Sequence, residues 1–276
     1  MTARLAIVAG DGGLVAEAIE AARKKGYEVG LFLATDRSDI SGDFTQRVDP
    51  GRPLRMIWRV RAFRPERICL VGSVSLSDRH RGGLQRVMSW FGGNRAGGKS
   101  GDIGLARGLP VVERMTGAKI LGVHELIDGL AVGAGHIAGP QPDAEQWTLC
   151  EYALASARKA GSFDLGQAVV CASGRVIAME DIGGTDLLIG RVAQFRQQGL
   201  VDVRPAQLAL AKARKPNQPA GVDLPTIGAE TLRNAASAGI GLICLHAENA
   251  LLADRAEVLE LADALGITIL AAHPDI

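Results

Sequence analysis

The stretch RLAIVAGDGGLVAEAIEAARKKGYEVGLFLA, Arg4–Ala34, decides the fold class. Arg4–Ala9 is a short apolar run, and Gly10-Asp11-Gly12-Gly13 turns the chain. Leu14–Lys25 then carries Leu14, Ala18, Ile19 and Ala22 at helical spacing; Gly26 stops it, and Glu28–Ala34 is a second apolar run. Two largely apolar runs of strand length, joined by an amphipathic helix, specify a βαβ unit, because a parallel crossover needs a helix to return the chain. An α/β protein whose first domain is Rossmann-like, with a parallel sheet, is therefore predicted.

Outward from this unit the alternation continues. Leu54–Phe63 reads as an amphipathic helix and Arg67–Val71 as a third strand, closed by Gly72-Ser73-Val74-Ser75. Leu84–Gly101 holds Gly92, Gly93, Gly97 and Gly98 around Lys99, which reads as a mobile loop. Ala138-Gly139-Pro140-Gln141-Pro142 has linker chemistry, which predicts two domains, 1–138 and 139–276. The second opens with a helix over Asp143–Lys159, capped near Asp143. Ala168–Ala172 and Val176–Met179 form a hairpin around Ser173-Gly174, followed by a helix at Leu187–Phe195 and a strand at Leu208–Ala211. Helix Glu230–Ala238, strand Gly241–Leu245, helix Asp254–Leu265 and strand Ile267–Ala271 complete an α/β domain with a mixed sheet.

Composition excludes several classes. Thirty-one basic and 30 acidic residues leave a net charge of +1, which is not the basic footprint of a nucleic-acid binder. No apolar run approaches the roughly 20 residues of a membrane-spanning helix. The N-terminus lacks a signal-peptide layout, so a cytoplasmic location is expected, with contact to the inner-membrane surface left open. Cys69, Cys150, Cys171 and Cys244 form no CxxC pair; three of them, Cys69, Cys171 and Cys244, sit in strand-like apolar runs and read as core residues of a reducing compartment. The five histidines show neither HxH nor HxxxH spacing, and no GxSxG elbow is present, so neither a zinc site nor a serine nucleophile is supported.

Four segments carry polar chemistry at predicted strand ends. The turn at Gly10, Gly12 and Gly13 could direct backbone N–H groups at a phosphate or could simply reverse the chain. Gly72 and Ser73 end another strand, where ligands of open sheets collect, although Ser73 or Ser75 as helix caps fit equally. AMEDIGGTDLLIGR, Ala178–Arg191, brings Glu180, Asp181 and Asp186 together; they could hold a divalent ion, or Thr185 or Asp186 could cap the following helix. In AKARKPNQPAGVDLPTIGAETL, Ala211–Leu232, Lys212, Arg214 and Lys215 precede Asp223, and Pro225 stiffens the chain beyond it. Cations beside a fixed carboxylate suit phosphoryl chemistry, and a solvated basic loop with a turn aspartate is the plain alternative.

Taken together, LAIVAGDGGL, GVHE at Gly122–Glu125, FDLGQAVVCASGRVIAMEDIGGTDLL at Phe163–Leu188 and KARKPNQPAGVDLPTIG at Lys212–Gly228 resemble the LpxI family. The resemblance implies a two-domain α/β enzyme, forming homodimers, that hydrolyses the pyrophosphate of UDP-2,3-diacylglucosamine to UMP and 2,3-diacylglucosamine 1-phosphate (lipid X) in lipid A synthesis. It implies a catalytic Asp223, assisted by Mg2+ or another divalent cation with Glu180 as a second ligand. Lys215 and Lys212 would offset phosphate charge. Gln167, Thr185, Asp186 and Thr226 would line the phosphate and sugar side, and Gly10, Gly12, Gly13, Gly72 and Ser73 the nucleotide or lipid side. Relatives tend to carry a GDD string where this chain reads Gly101-Asp102-Ile103. A divergent nucleotide-sugar hydrolase and a non-catalytic ligand-binding protein are the alternatives. A dinucleotide dehydrogenase, with Asp36 on a ribose, is a third reading that lacks the GxGxxG spacing.

Overall fold

A computed structural model describes residues 2–72, 102–163, 165–216 and 224–274, with side chains in the second stretch from Gly108 onward. The expected loop 84–101, together with Ser73, Ser75 and Asp223, lies outside the described residues, as do the side chains of Asp102 and Ile103. The chain divides into two compact units after Asp128.

In the first unit, β1 (Arg4–Ala9), α1 (Leu14–Lys24) and β2 (Glu28–Leu33) form the expected crossover. Strand β3 (Phe44–Arg47), α2 (Pro53–Ala62), β4 (Arg67–Val71), α3 (Asp102–Thr116), β5 (Lys119–Leu121) and the short α4 (Val123–Leu126) follow. The five strands lie in the order β3-β2-β1-β4-β5. All four pairings are parallel. Helix α1 buries Leu14, Val15, Ala18, Ile19 and Ala22, the stripe its spacing predicts. On another cluster Ala6, Phe32, Val60 and Ile68 pack together. Phe63 stacks on Phe44 at 5.8 Å there, giving a core with few but concentrated aromatics.

The second unit contains β6 (Gly135–Ala138), α5 (Ala144–Ser162), β7 (Ala168–Ala172), β8 (Arg175–Met179), α6 (Gly184–Gln197) and β9 (Leu208–Lys212). It continues with β10 (Thr226–Ile227), α7 (Ala229–Ser237), β11 (Leu242–His246), β12 (Leu251–Leu252), α8 (Arg255–Leu265) and β13 (Thr268–Ala272). Its main sheet has the order β6-β13-β11-β9-β7-β8. The centre, β13-β11-β9, is parallel, while β6, β7 and β8 run antiparallel to their neighbours. The sheet is thus mixed, as expected.

Both faces of this sheet are covered, so its strands are apolar at successive positions. Cys150, Ala153, Leu154 and Ala157 of α5 pack on Val169, Cys171, Ala209, Ala211, Leu242 and Cys244. The opposite face sets Val170, Leu210, Ile243 and Ile269 against Leu188, Val192, Leu232 and Val258 of the other three helices. Small residues on α5 let its backbone lie close to the strands. All four cysteines are buried and free. Burial pushes the Cys69 and Cys171 thiols up to about 12, which suits packing and not nucleophilic chemistry.

The division falls ahead of the expected boundary at Ala138-Gly139. Gly135–Ala138, part of which had linker chemistry, is an edge strand that pairs with β13 and so belongs to the second sheet. The cap on α5 is as expected: Asp143 Oδ1 accepts from the Gln146 amide at 2.8 Å, and Gln146 Oε1 accepts from the Asp143 amide at 3.1 Å.

Candidate functional site

Strand direction places the chemistry. In the first unit, β1 and β4 end side by side, and the Gly10 amide donates to Val71 O at 2.8 Å. Gly72 has φ +86°, and a Cβ there would sit 2.5 Å from Asp11 O, so this turn requires glycine at 72. Gly12, at φ +116°, also needs glycine, while Gly13 is the residue before α1. These glycines therefore form one turn at the carboxyl ends of parallel strands, where open α/β sheets bind ligands.

Sequence reasoning missed Arg37 in this turn. Its guanidinium donates to Gly12 O at 2.6 Å and to Asp39 at 2.7 Å and 3.1 Å. The hydrogen bond from Arg37 holds the Asp39 carboxyl below its usual range. Arg37 follows the end of β2, a position that itself is the signal, although no local motif marks it.

In the second unit the parallel strands β9, β11 and β13 all end at one edge. The antiparallel pairings bring the start of β7 and the end of β8 to that same edge, since Ala168 stands opposite Lys212 and Val169 opposite Met179. Gln167, Glu180, Thr185, Lys212 and Thr226 are gathered there. Glu180 is buried, and its carboxylate is fully engaged. Oε2 accepts from the amides of Gln167 at 2.8 Å and Ala168 at 3.2 Å, and Oε1 from Thr185 Oγ1 at 2.7 Å. Gly166 lies against it at φ +129°, where a Cβ would be 2.7 Å from Glu180 O.

Neither Thr185 nor Asp186 caps α6. Gly183 is the cap residue without a side-chain bond; Thr185 turns back to Glu180, and Asp186 Oδ1 accepts from Asn234 Nδ2 at 3.2 Å. Asp181, the third carboxylate of this segment, pairs with Arg191 at 2.9 Å and accepts from the Gly183 amide at 2.8 Å. The three carboxylates thus face different partners. Among the described residues no group of three His, Cys, Asp or Glu side chains could hold a metal ion.

Lys212, buried at the end of β9, donates from Nζ to Thr226 O at 3.0 Å. Thr226 Oγ1 in turn donates to Leu224 O at 3.1 Å. The chain thus leaves the edge after Lys212 and is tied back to it at Thr226. Lys215 lies over Gly161 of α5, its Cγ 3.0 Å from where a Cβ would stand. Arg214 Nη1 donates to Asn249 Oδ1 at 2.8 Å. Asn249 Nδ2 lies 3.4 Å from His246 Nε2, and the His246 ring meets that of His273 edge-on at 6.5 Å. Burial, then the positive charges of Arg158 and Arg214, then His273, lower the His246 pKa to about 4.

Residues 133–270 match the family described as LpxI C-terminal domain. The chain is 32% identical over 280 residues to UDP-2,3-diacylglucosamine pyrophosphatase LpxI of Caulobacter vibrioides, covering 98% of each chain. Among solved structures it is similar to a GalE-like L-threonine dehydrogenase from Cupriavidus necator, at 11% identity and a TM-score of 0.33, covering 99% of this chain and 86% of that one. A UDP-glucose-4-epimerase from Stenotrophomonas maltophila gives 12% identity and a TM-score of 0.31, covering 74% and 51%. Neither of those two likenesses bears on function.

Proposed function

This chain belongs to the LpxI family, and from that premise we propose that it hydrolyses the pyrophosphate of UDP-2,3-diacylglucosamine to UMP and 2,3-diacylglucosamine 1-phosphate in lipid A synthesis. One observation supports the reading beyond the relationship itself. Gln167 and Thr185, named from one segment, and Lys212 and Thr226, named from another, meet at one sheet edge. Asp223 falls, in sequence, inside the segment whose two ends are tied there by the Lys212–Thr226 bond.

In this reading Asp223 orients the attacking water, and the cations of Lys212 and Lys215 offset the charge that grows on the phosphate oxygens. A buried, hydrogen-bonded ammonium such as that of Lys212 is held in place before the reaction, so little reorganisation is needed when charge develops. Gln167 and Thr185 border the phosphate and sugar, with Asp186 and Thr226 beside them; Gly10, Gly12, Gly13, Gly72 and Ser73 serve the nucleotide or lipid part. Glu180 acts here by fixing Gln167 and Thr185, because both of its oxygens are already engaged. The divalent cation rests on the family relationship; the described carboxylates do not form a ligand set, and no step above runs through it. Homodimer formation and peripheral contact with the inner membrane belong to the same proposal. Among the described residues no helix is long and apolar enough to cross a membrane.

Asp223→Ala tests the assignment. Release of UMP from the diacylated substrate should fall by at least about a thousandfold with the fold kept. Cleavage of bare UDP-N-acetylglucosamine but not of the diacylated compound would overturn the substrate.

A further inference from the structure

The edge of the second sheet carries a cationic cluster that the catalytic reading does not use. His246 ends β11, whose Leu245 stands opposite Lys212 in β9. Around it lie Arg158 from α5, Arg214 beyond β9, Asn249 in the turn after β11, and His273 beyond β13. These residues come from four separate segments and converge on one ring.

The hydrogen bonds fix the proton on that ring. Arg214 can only donate, so the Asn249 atom it meets is the carbonyl oxygen. Asn249 therefore presents its NH2 group to His246 Nε2, and the same group donates to Ala247 O at 3.1 Å. Nε2 is then the acceptor, which leaves the proton on Nδ1. His246 is 6% exposed, and its Nδ1 has no hydrogen-bond partner among the described residues. A buried N–H donor without an acceptor is unfavourable, and so is cationic charge that lacks a counter-charge. Arg158 is half-buried and makes no hydrogen bond or ion pair among the described residues. Burial first, and then this positive field, lower the His246 pKa.

We propose that Arg158 and Arg214, with His246, Asn249 and His273 beside them, bind the phosphate group of a phosphate monoester. Two guanidinium groups supply donors and positive charge, and among the described residues no carboxylate pairs with either, a combination that suits a phosphate dianion. Asn249 is a positioning residue: it links Arg214 to the imidazole and sets the tautomer. The inference deepens the proposed function, resting on it only for the identity of the ligand, a sugar phosphate or nucleoside monophosphate leaving the neighbouring Lys212.

The test is titration of the full chain with inorganic phosphate, followed by the 1H–13C resonance of His246 Cε1, assigned by its loss in His246→Gln. The parent resonance should move in a saturable way. Arg158→Met, which breaks no hydrogen bond among the described residues, should raise the phosphate Kd at least about tenfold, the scale of one charge-assisted contact. Arg214→Lys should weaken binding less than Arg214→Met. A parent resonance that stays still at saturating phosphate overturns the site, as does an unchanged Kd in Arg158→Met. Asp223→Ala separates the two claims. Phosphate binding kept with hydrolysis lost supports both, whereas both kept overturns the catalytic role of Asp223 and leaves the anion site standing.

Discussion

Replacing Glu180 by alanine should cost stability before it costs chemistry. The carboxylate is 8% exposed and accepts three hydrogen bonds, from Gln167 N, Ala168 N and Thr185 Oγ1. Removing it leaves the buried Ala168 amide without an acceptor and releases the Thr185 hydroxyl. Each lost bond contributes roughly 1 kcal/mol, and the orphaned buried donor adds about 1–3 kcal/mol, so Glu180→Ala should lose about 4–6 kcal/mol. Glu180→Gln keeps one oxygen for both amides and turns an NH2 group toward Thr185, whose hydroxyl can rotate to accept. It should lose only about 1 kcal/mol. Urea unfolding gives the free energies, and hydrogen exchange at the Ala168 amide reports the site directly. Protection of that amide should fall in the alanine variant and survive in the glutamine one. The reasoning fails if Glu180→Ala unfolds within about 1 kcal/mol of the parent. It fails too if Glu180→Gln, at full stability, loses metal affinity and activity together, since that is how a ligand would behave.

Three further outcomes follow from single groups. Gly139→Ala should be among the most damaging single changes, at about 3 kcal/mol or more in urea unfolding, because a Cβ would stand 1.9 Å from Ile267 O; Gly174→Ala, at a similar positive φ of +74° but in open space, should cost about 1 kcal/mol. His246 binds its proton at about 4 when folded and at 6.5 when unfolded, so the unfolded chain takes up the proton first as pH falls. Stability should therefore drop between those two pH values, by roughly 3 kcal/mol at most, and His246→Gln should flatten that part of the pH profile. Asp143→Ala removes the cap of α5 and should lower the urea midpoint by an amount equivalent to about 1 kcal/mol.

Much of the fold was legible because buried parallel strands read as unbroken apolar runs. Arg4–Ala34 is the clearest case, and Leu208–Lys212 and Leu242–His246 behave alike. Strand β3 escaped because Phe44–Arg47 is a mostly exposed, polar edge whose side chains carry no period. β6 escaped for the opposite reason: Gly135–Ala138 is short, partly buried and runs into a Gly-Pro linker. At the candidate site, Lys212 and Thr226 could be named together because they share a segment, and the structure ties them. Three carboxylates close in sequence suggest a metal, and what their spacing does not disclose is the β7–β8 register, which carries Glu180 back onto the amides at 167–168. Of Arg158, Arg214, His246, Asn249 and His273 only Arg214 stood out, in the basic run before Asp223, since the five come from four distant segments that the strand ends bring together.

The central claim is that the segment between Lys212 and Thr226 delivers a catalytic carboxylate to this edge. Hydrolysis of UDP-2,3-diacylglucosamine by the purified chain and by Asp223→Asn, with divalent cation present and UMP release followed, tests it most directly. The account predicts turnover in the parent and loss of at least about a thousandfold in the variant, with unchanged urea unfolding. A variant that turns over at the parental rate would contradict it.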